Sequence, residues 1–169
     1  MSEILVKRSD KLAFYGVPAE GVGTIAYHRM RSFTDSSTSK NAKEYNRQYM
    51  DEDFERTDLI GFSPSMAYGF DQYTDNPVHD DIVALTDSET LGTAAIRSII
   101  IVDLTDFTTV EEITTYAARK RDFTVIPDSE GDSTDAYTYS GTLKSNGAMA
   151  KGTVVLDADK KIATFTAAA

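Results

Sequence analysis

The chain has 169 residues, no Cys, and 27 Asp/Glu against 17 Lys/Arg, for a formal net charge of −10. That length can bury a core without disulfides or a structural metal, and the missing Cys excludes disulfide frameworks and thiol chemistry. An acidic chain does not hold nucleic acid by neutralising phosphates, and no apolar run approaches the ~20 residues that span a bilayer.

The N-terminus, MSEILVKRSD, lacks the apolar run of a signal peptide, so the reading is a soluble product made without secretion. One domain spanning 1–169 is expected. Charge is unevenly spread: residues 1–50 hold 8 Lys/Arg and 5 Asp/Glu (net +3), and residues 51–169 hold 9 and 22 (net −13). Such a split lets one basic end meet the acidic end of a neighbouring copy.

In chain order, residues 1–23 mix charge (Lys7, Arg8, Lys11) with Leu12, Phe14 and Tyr15, then Gly16, Pro18, Gly21 and Gly23. They read as an arm ending in a loop. Thr24–Thr34 is β-rich but carries His28, Arg29 and Arg31, which places it at a sheet edge or inside an interface. Asp35–Asp53 is a polar run holding Tyr45, Tyr49 and Met50, and reads as an extended loop. Within it, KEYNRQY is either a short strand with Tyr45, Arg47 and Tyr49 on one side or a turn of helix. Tyr and Arg among small polar residues are also the composition that interfaces favour.

The centre of the chain is Glu55–Glu89. Ile60, Phe62, Met66, Tyr68 and Phe70 alternate with Gly61, Ser63, Ser65, Ala67 and Gly69, which predicts a strand with one apolar face and one face of small residues. Ser63-Pro64 must interrupt it, because Pro lacks the donor that a ladder needs. The small-residue face is a candidate for close approach by a neighbouring copy or for lining a non-adhesive wall. Asn76-Pro77 then starts a helix: Asn caps it and Pro fits the first helical position. Asp80 and Asp81 sit where the helix dipole favours negative charge, and Val78, Ile82 and Leu85 follow at helical spacing.

Ile96–Leu104 is a near-continuous apolar run, the pattern of a central strand buried on both faces. Thr105–Thr115 is polar and acidic, and reads as a loop. Tyr116–Ile126 is a strand whose Arg119-Lys120-Arg121 cluster is expected to pair with the surrounding acids. Pro127–Asp135 is a turn-rich loop, and Ala136–Lys144 alternates as a strand. Asn146-Gly147 is a strong hairpin signal. Gly152–Asp157 and Lys160–Thr166 form a last hairpin across Ala158-Asp159. The total is a mainly β chain of about seven strands with one flanking helix, arranged as a sandwich or barrel.

No constellation for chemistry stands out. His79-Asp80-Asp81 has metal-ligand residue types, but the only other imidazole, His28, lies in another element. Asp128, Glu130, Asp132 and Asp135 resemble a calcium loop in composition only, since Tyr139 occupies the position where an EF-hand closes on Glu. There is no GxSxG, P-loop or GxGxxG motif. The expectation is therefore no catalytic, metal or cofactor site.

The segments AYHRMRSFTD, SKNAKEYNRQYMDEDFE, TDLIGFSPSMAYGFDQYTDNPVHDDI and KRDFTVIPDSEG, with the ending YTYSGTLKSNGAMAKGTVVLDADKKIATF, resemble the major tail (tail tube) proteins of tailed bacteriophages and prophages of Gram-positive bacteria. The resemblance covers most of the chain. It implies a small β-sandwich or barrel flanked by a helix, a fold shared with type VI secretion tubes. It also implies hexameric rings that stack into a tube through which the genome passes, in the virion tail. Asn76–Glu89 would be the flanking helix, Asp35–Asp53 the loop touching neighbouring subunits, and Met1–Tyr15 an arm joining rings.

The candidate interface residues are Tyr45, Arg47, Tyr49, Lys7, Arg8 and Phe14. The implied partners are further copies of the chain and other tail proteins (tape measure, terminator, baseplate or distal tail). DNA is met only in passage, and no membrane is involved. The alternative is a monomeric β-sandwich binding module, for instance for carbohydrate, with its aromatics as a stacking platform.

Overall fold

A computed structural model describes residues 2–19 and 23–169. Met1 and Gly21 of the expected arm lie outside the described residues. The strands are β1 (Lys11–Pro18), β2 (Ile25–Arg29), β3 (Phe33–Asp35), β4 (Thr38–Ser39), β5 (Ala42–Arg47), β6 (Arg56–Phe62) and β7 (Ser65–Asp71). The helix α1 (Pro77–Asp87) follows, and then β8 (Ile96–Val110), β9 (Ile113–Glu130), β10 (Thr138–Ser145), β11 (Ala150–Leu156) and β12 (Ile162–Ala167). Single 3-10 turns at Arg8–Asp10 and Gly92–Ala95 complete the described elements. The chain is mainly β with one α-helix, as its pattern predicts. The strands beyond the expected seven are β1, β3, β4 and β5, together with the division of residues 56–71 into β6 and β7.

Six strands close into a barrel in the order β11-β12-β2-β1-β8-β9, with β9 pairing back onto β11. Closure removes the edges that an open sheet would expose. The same sheet continues from β9 through β10 and β7 to the short β3 and β4. Two apolar layers result. Leu12, Phe14, Ile100, Val102, Val154 and Ala163 fill the barrel. Tyr15, Met66, Phe70, Ile82, Ile99 and Leu143 belong to the layer between the sheet and α1.

The strands β1 and β8 serve both layers, because successive side chains point to opposite faces. Ile99 lies under the helix and Ile100 lies in the barrel, each at most 1% exposed, so the run at 96–104 is a central strand buried on both faces. β1 has the same character: Leu12, Ala13, Phe14 and Tyr15 are all buried. This corrects the reading of residues 1–23 as an arm, since β1 sits in the barrel wall between β2 and β8. Residues 2–7 lie outside any element and are exposed. β2 lies between β1 and β12, so it is not an edge strand despite its cations.

The helix begins as its sequence predicts. Asn76 Oδ1 accepts from the Val78 and His79 amides, and Pro77 occupies the first turn. Val78, Ile82 and Leu85 are buried against the sheet. The ladder breaks at the buried Pro64, and its two sides have opposite fates. Met66, Tyr68 and Phe70 on β7 are at most 2% exposed, whereas Ile60 and Phe62 on β6 are 65% and 53% exposed. The single apolar face expected over 60–70 therefore holds for β7 only. Helix α1 packs on the Met66–Tyr68–Phe70 face. Ser65 and Ala67 on the other face stay half-buried, while Gly69 is covered by Thr34 and Asp35.

Two loop expectations also change. Residues 105–115 are not a loop: β8 and β9 continue pairing to Val110 and Ile113 around a two-residue turn. Glu111 and Glu112 hold φ of 49° and 67°, the left-handed pair that such a turn requires, and Glu there gives no composition signal. Asn146-Gly147 does not make a hairpin. β10 and β11 run one after the other along the same edge of β9, pairing with residues 123–130 and 116–120 in turn. The four residues between them carry the chain from the open sheet into the barrel, and Asn146 is tied down by Asp122 O and Thr124. The last hairpin, β11–β12, is present as predicted, with Asp157 Oδ1 accepting from the Lys161 and Ile162 amides at its turn.

Candidate assembly surface

Between Asn41 and Ser63 the chain leaves the body as a ribbon. β5 and β6 pair only with each other, and nearly every side chain on both is exposed. A lone two-stranded ribbon is marginal in water. This one also leaves Leu59, Ile60 and Phe62 uncovered, and its tip presents Met50 and Phe54 at 107% and 80% exposure. Asp51, Glu52, Asp53 and Glu55 surround that tip. The polar run at 35–53 is thus no single loop: its start pairs with β7 as the end of β3 and as β4, and its remainder is one arm and the tip of a hairpin.

Tyr45, Arg47 and Tyr49 come together there. Arg47 Nη1 donates to Tyr45 Oη at 2.9 Å, and its guanidinium carbon lies 5.4 Å from the Tyr49 ring centroid. Arg56 approaches the same ring at 5.7 Å and pairs with Glu52. The two tyrosines remain 44% and 46% exposed. A strand explains this arrangement: Tyr45 and Arg47 are two apart and share a face. Lys7 and Arg8 lie elsewhere, at the 3-10 turn entering β1, where the Lys7 amide donates to Asp10 and Arg8 donates to Lys11 O. Phe14 is fully buried in the barrel, so it is a core residue and not an interface residue.

A second surface lies on the outer face of the barrel where the hairpin departs. A groove of about 280 Å³ is floored by Ala13, Ile99, Ile101 and Phe123 and rimmed by Arg8, Lys40, Arg119 and Arg121. Pro64 and Lys40, at the two roots of the hairpin, also line it. Arg119 and Arg121 do not pair with acids as the sequence predicts. The salt bridges among the described residues are Lys11–Asp103, Arg56–Glu52, Arg97–Asp81 and Lys161–Asp159. Alternation on β9 sends Lys120 to the other face, 5.0 Å from the Phe165 ring centroid. Desolvation first, and then the positive charges of Arg119 and Arg121, lower the Lys40 pKa.

The fold matches solved structures. A chain from the tail of an empty GTA particle with C6 symmetry superposes with a TM-score of 0.57 at 13% identity, over 86% of this chain and 97% of the other. A chain from the virion of a native gene transfer agent particle gives 0.57 at 12% identity, over 87% and 98%. The chain has the fold of a tail-particle protein. No family model and no curated protein sequence matches it.

Elsewhere on this tail fold, the polar residues with chemical potential have structural work. His79 is buried, stacked on Phe70 at 4.1 Å between ring centroids. Its Nδ1 accepts from the Tyr73 amide at 3.2 Å, which makes Nε2 the donor to Arg31 O at 3.1 Å. Asp80 is exposed in the first helical turn, but Asp81 is not simply a dipole partner, since it accepts from Arg97 and Tyr15. No group of three or more His, Cys, Asp or Glu converges among the described residues, and no helix there is long and apolar enough to cross a membrane. The tip of β8–β9 is a further exposed apolar site, with Val110 and Ile113 at 64% and 58%. The groove and this tip escaped the sequence reading, because each is assembled by strand pairing that composition does not reveal.

Proposed function

We propose that this chain is a tail tube subunit, a structural virion protein of a tailed phage or prophage of Gram-positive bacteria. Six copies form a ring, and rings stack into the conduit through which the genome leaves. It is not an enzyme and needs no cofactor. The observation that carries this reading is the likeness, over 86% of the chain, to a chain of a C6-symmetric tail.

Three features support it. The barrel spends its own edges on closure, leaving the ribbon at 42–62 as the strand pair that lacks a covering layer. The Tyr45–Arg47–Tyr49 group on that ribbon is aromatic, internally hydrogen-bonded and half-exposed, the character of an interface anchor. The net charge of −10 suits a bore lined by acidic side chains, which repels phosphates and lets DNA slide. Lys7 and Arg8, beside the exposed segment that precedes β1, are candidates for contact between rings. The remaining partners are the tape measure, terminator and baseplate or distal tail proteins. The protein would be made in the host cytoplasm and reside in the virion tail.

Negative-stain electron microscopy of the purified protein at high concentration tests the reading. Rings or tubes of uniform width are expected. Strictly monomeric behaviour at every concentration overturns it and favours a monomeric binding module. A predominantly basic bore in a reconstructed ring would sink the acidic-lumen idea alone.

A further inference from the structure

The asparagines of the chain precede different residues: Asn41 precedes Ala42, Asn46 precedes Arg47, Asn76 precedes Pro77 and Asn146 precedes Gly147. An asparagine loses its side-chain amide when the next backbone nitrogen attacks its Cγ, so the following residue governs the rate. Pro77 has no N–H to give up. Ala42 and Arg47 carry a Cβ and are held in the β5–β6 ladder. Gly147 has neither restraint. We propose that Asn146 is a self-modification site, converted in the folded protein to aspartate and isoaspartate by attack of the Gly147 nitrogen.

Three observations carry this. First, Asn146 and Gly147 are exposed and lie in the link between β10 and β11, outside any strand. A Cβ on Gly147 would meet nothing within 4 Å, so there is room for a ring to close. Second, the Gly147 N–H donates to no backbone carbonyl among the described residues, and its φ of 129° lies where glycine moves freely. The nucleophile is therefore not tied up. Third, the leaving amide is held by a neutral hydrogen bond, Asn146 Nδ2 to Thr124 Oγ1 at 3.1 Å. Such a bond near solvent has a small net strength, so it slows the loss without blocking it.

The step balances without a redox partner. The Gly147 nitrogen gives its proton to solvent and bonds to Asn146 Cγ. The Cγ–Nδ2 bond breaks, and Nδ2 leaves as ammonia with a succinimide left behind. Water then opens the ring. Attack at Cγ gives aspartate, and attack at the main-chain carbonyl carbon gives isoaspartate, which routes the backbone through Cγ. Either product adds negative charge to a chain of net charge −10. Isoaspartate also lengthens the link that carries the chain from the open sheet into the barrel. The pairs Ser145–Phe123 and Ala150–Lys120 fix both ends of that link on β9, so the open turn must absorb the extra atom.

Folded full-length protein is incubated at mildly alkaline pH and digested with trypsin. Lys144 and Lys151 bound a short peptide, Ser145–Lys151, that reports on Asn146 alone. Mass spectrometry should show its amide replaced by a carboxyl, with an isoaspartate-specific methyltransferase labelling part of the product. Peptides holding Asn41, Asn46 and Asn76 should stay intact over the same time. Thr124→Val keeps the branched shape and removes the hydrogen bond, and should speed conversion about two- to tenfold. Asn146→Gln, whose longer side chain closes a ring poorly, should abolish it. If Asn146 survives in the folded protein while urea-unfolded chain converts, the link is closed to the reaction and the proposal is wrong. An unchanged rate in Thr124→Val would remove Thr124 as the brake.

Discussion

Arg97 grips the carboxylate of Asp81 side-on, with Nε to Oδ2 at 2.8 Å and Nη2 to Oδ1 at 3.2 Å. Both side chains are nearly buried, at 11% and 14% exposure. Tyr15 donates a third bond to Asp81 at 2.6 Å. Burial, reinforced by the Asp81 charge, pushes the Tyr15 hydroxyl well above its ordinary range, so it stays a donor. Asp81 is on α1, Tyr15 on β1 and Arg97 on β8, so one carboxylate ties the helix to two barrel strands.

Removing one member of a partly buried pair strands the other's charge. Asp81→Ala is expected to cost about 3–5 kcal/mol, read as a lowered urea midpoint. The paired change Asp81→Leu/Arg97→Met should cost much less, because no charge is left alone. If Asp81→Ala unfolds like wild type, the pair does not hold the helix.

Stability should fall as the solution is acidified through the histidine range. Desolvation outweighs the Arg31 carbonyl and Asp80 and lowers the His79 pKa below its ordinary 6.5. His28 is shifted the same way by desolvation and Arg31. The unfolded chain therefore takes up these protons first, and stability is lost from about pH 6.5 downward. Asp103, held down to about 2 by Thr105 and Lys11, adds its loss only at lower pH. Urea midpoints at pH 7.5 and 5.0 should differ, and His79→Gln should narrow the gap. An unchanged gap would remove His79 from the account.

Gly152 sits where β11 meets β12. A Cβ there would run into the Thr166 carbonyl oxygen and the Phe165 ring. Gly152→Ala is expected to cost about 1–3 kcal/mol by overpacking, measured by thermal unfolding. Gly61→Ala, where a Cβ meets nothing, is the matched control.

Tyr68 Oη is buried without a hydrogen-bond partner among the described residues, and burial together with the Asp128 charge pushes its pKa up to about 12. Tyr68→Phe keeps the ring that packs at 6.3 Å from Phe70 and removes the unpaired hydroxyl. It should be neutral or stabilising by up to about 1 kcal/mol. A clear loss of stability would mean that the hydroxyl has a partner.

Tyr45→Ala/Tyr49→Ala should impair ring or tube formation and leave the monomer's melting temperature within about 2 °C, since neither side chain enters the core. Normal tubes by electron microscopy would take these tyrosines out of the interface.

What the sequence determined by itself was local. Asn76-Pro77 starts the helix because capping and proline geometry act within one turn. Pro64 breaks a ladder wherever it lies. The apolar run at 96–104 announces burial on both faces, and strand period puts Tyr45 and Arg47 on one face, while Tyr49 lies past the end of β5. The mainly β class followed from these.

Only the tertiary structure decided the rest. Ile60 and Phe62 carry the same pattern as Met66 and Phe70, yet only the second pair finds a helix to cover it. Leu12–Tyr15 reads as part of an arm among charges, and becomes core because two neighbouring strands flank it. Asn146-Gly147 would turn a hairpin, but β9 offers one long edge to both flanking strands. Arg119 and Arg121 meet Lys40 rather than an acid because the ribbon's root lands beside them. In each case local propensity was unambiguous and the pairing partner was distant in the chain, so long-range contacts set the outcome.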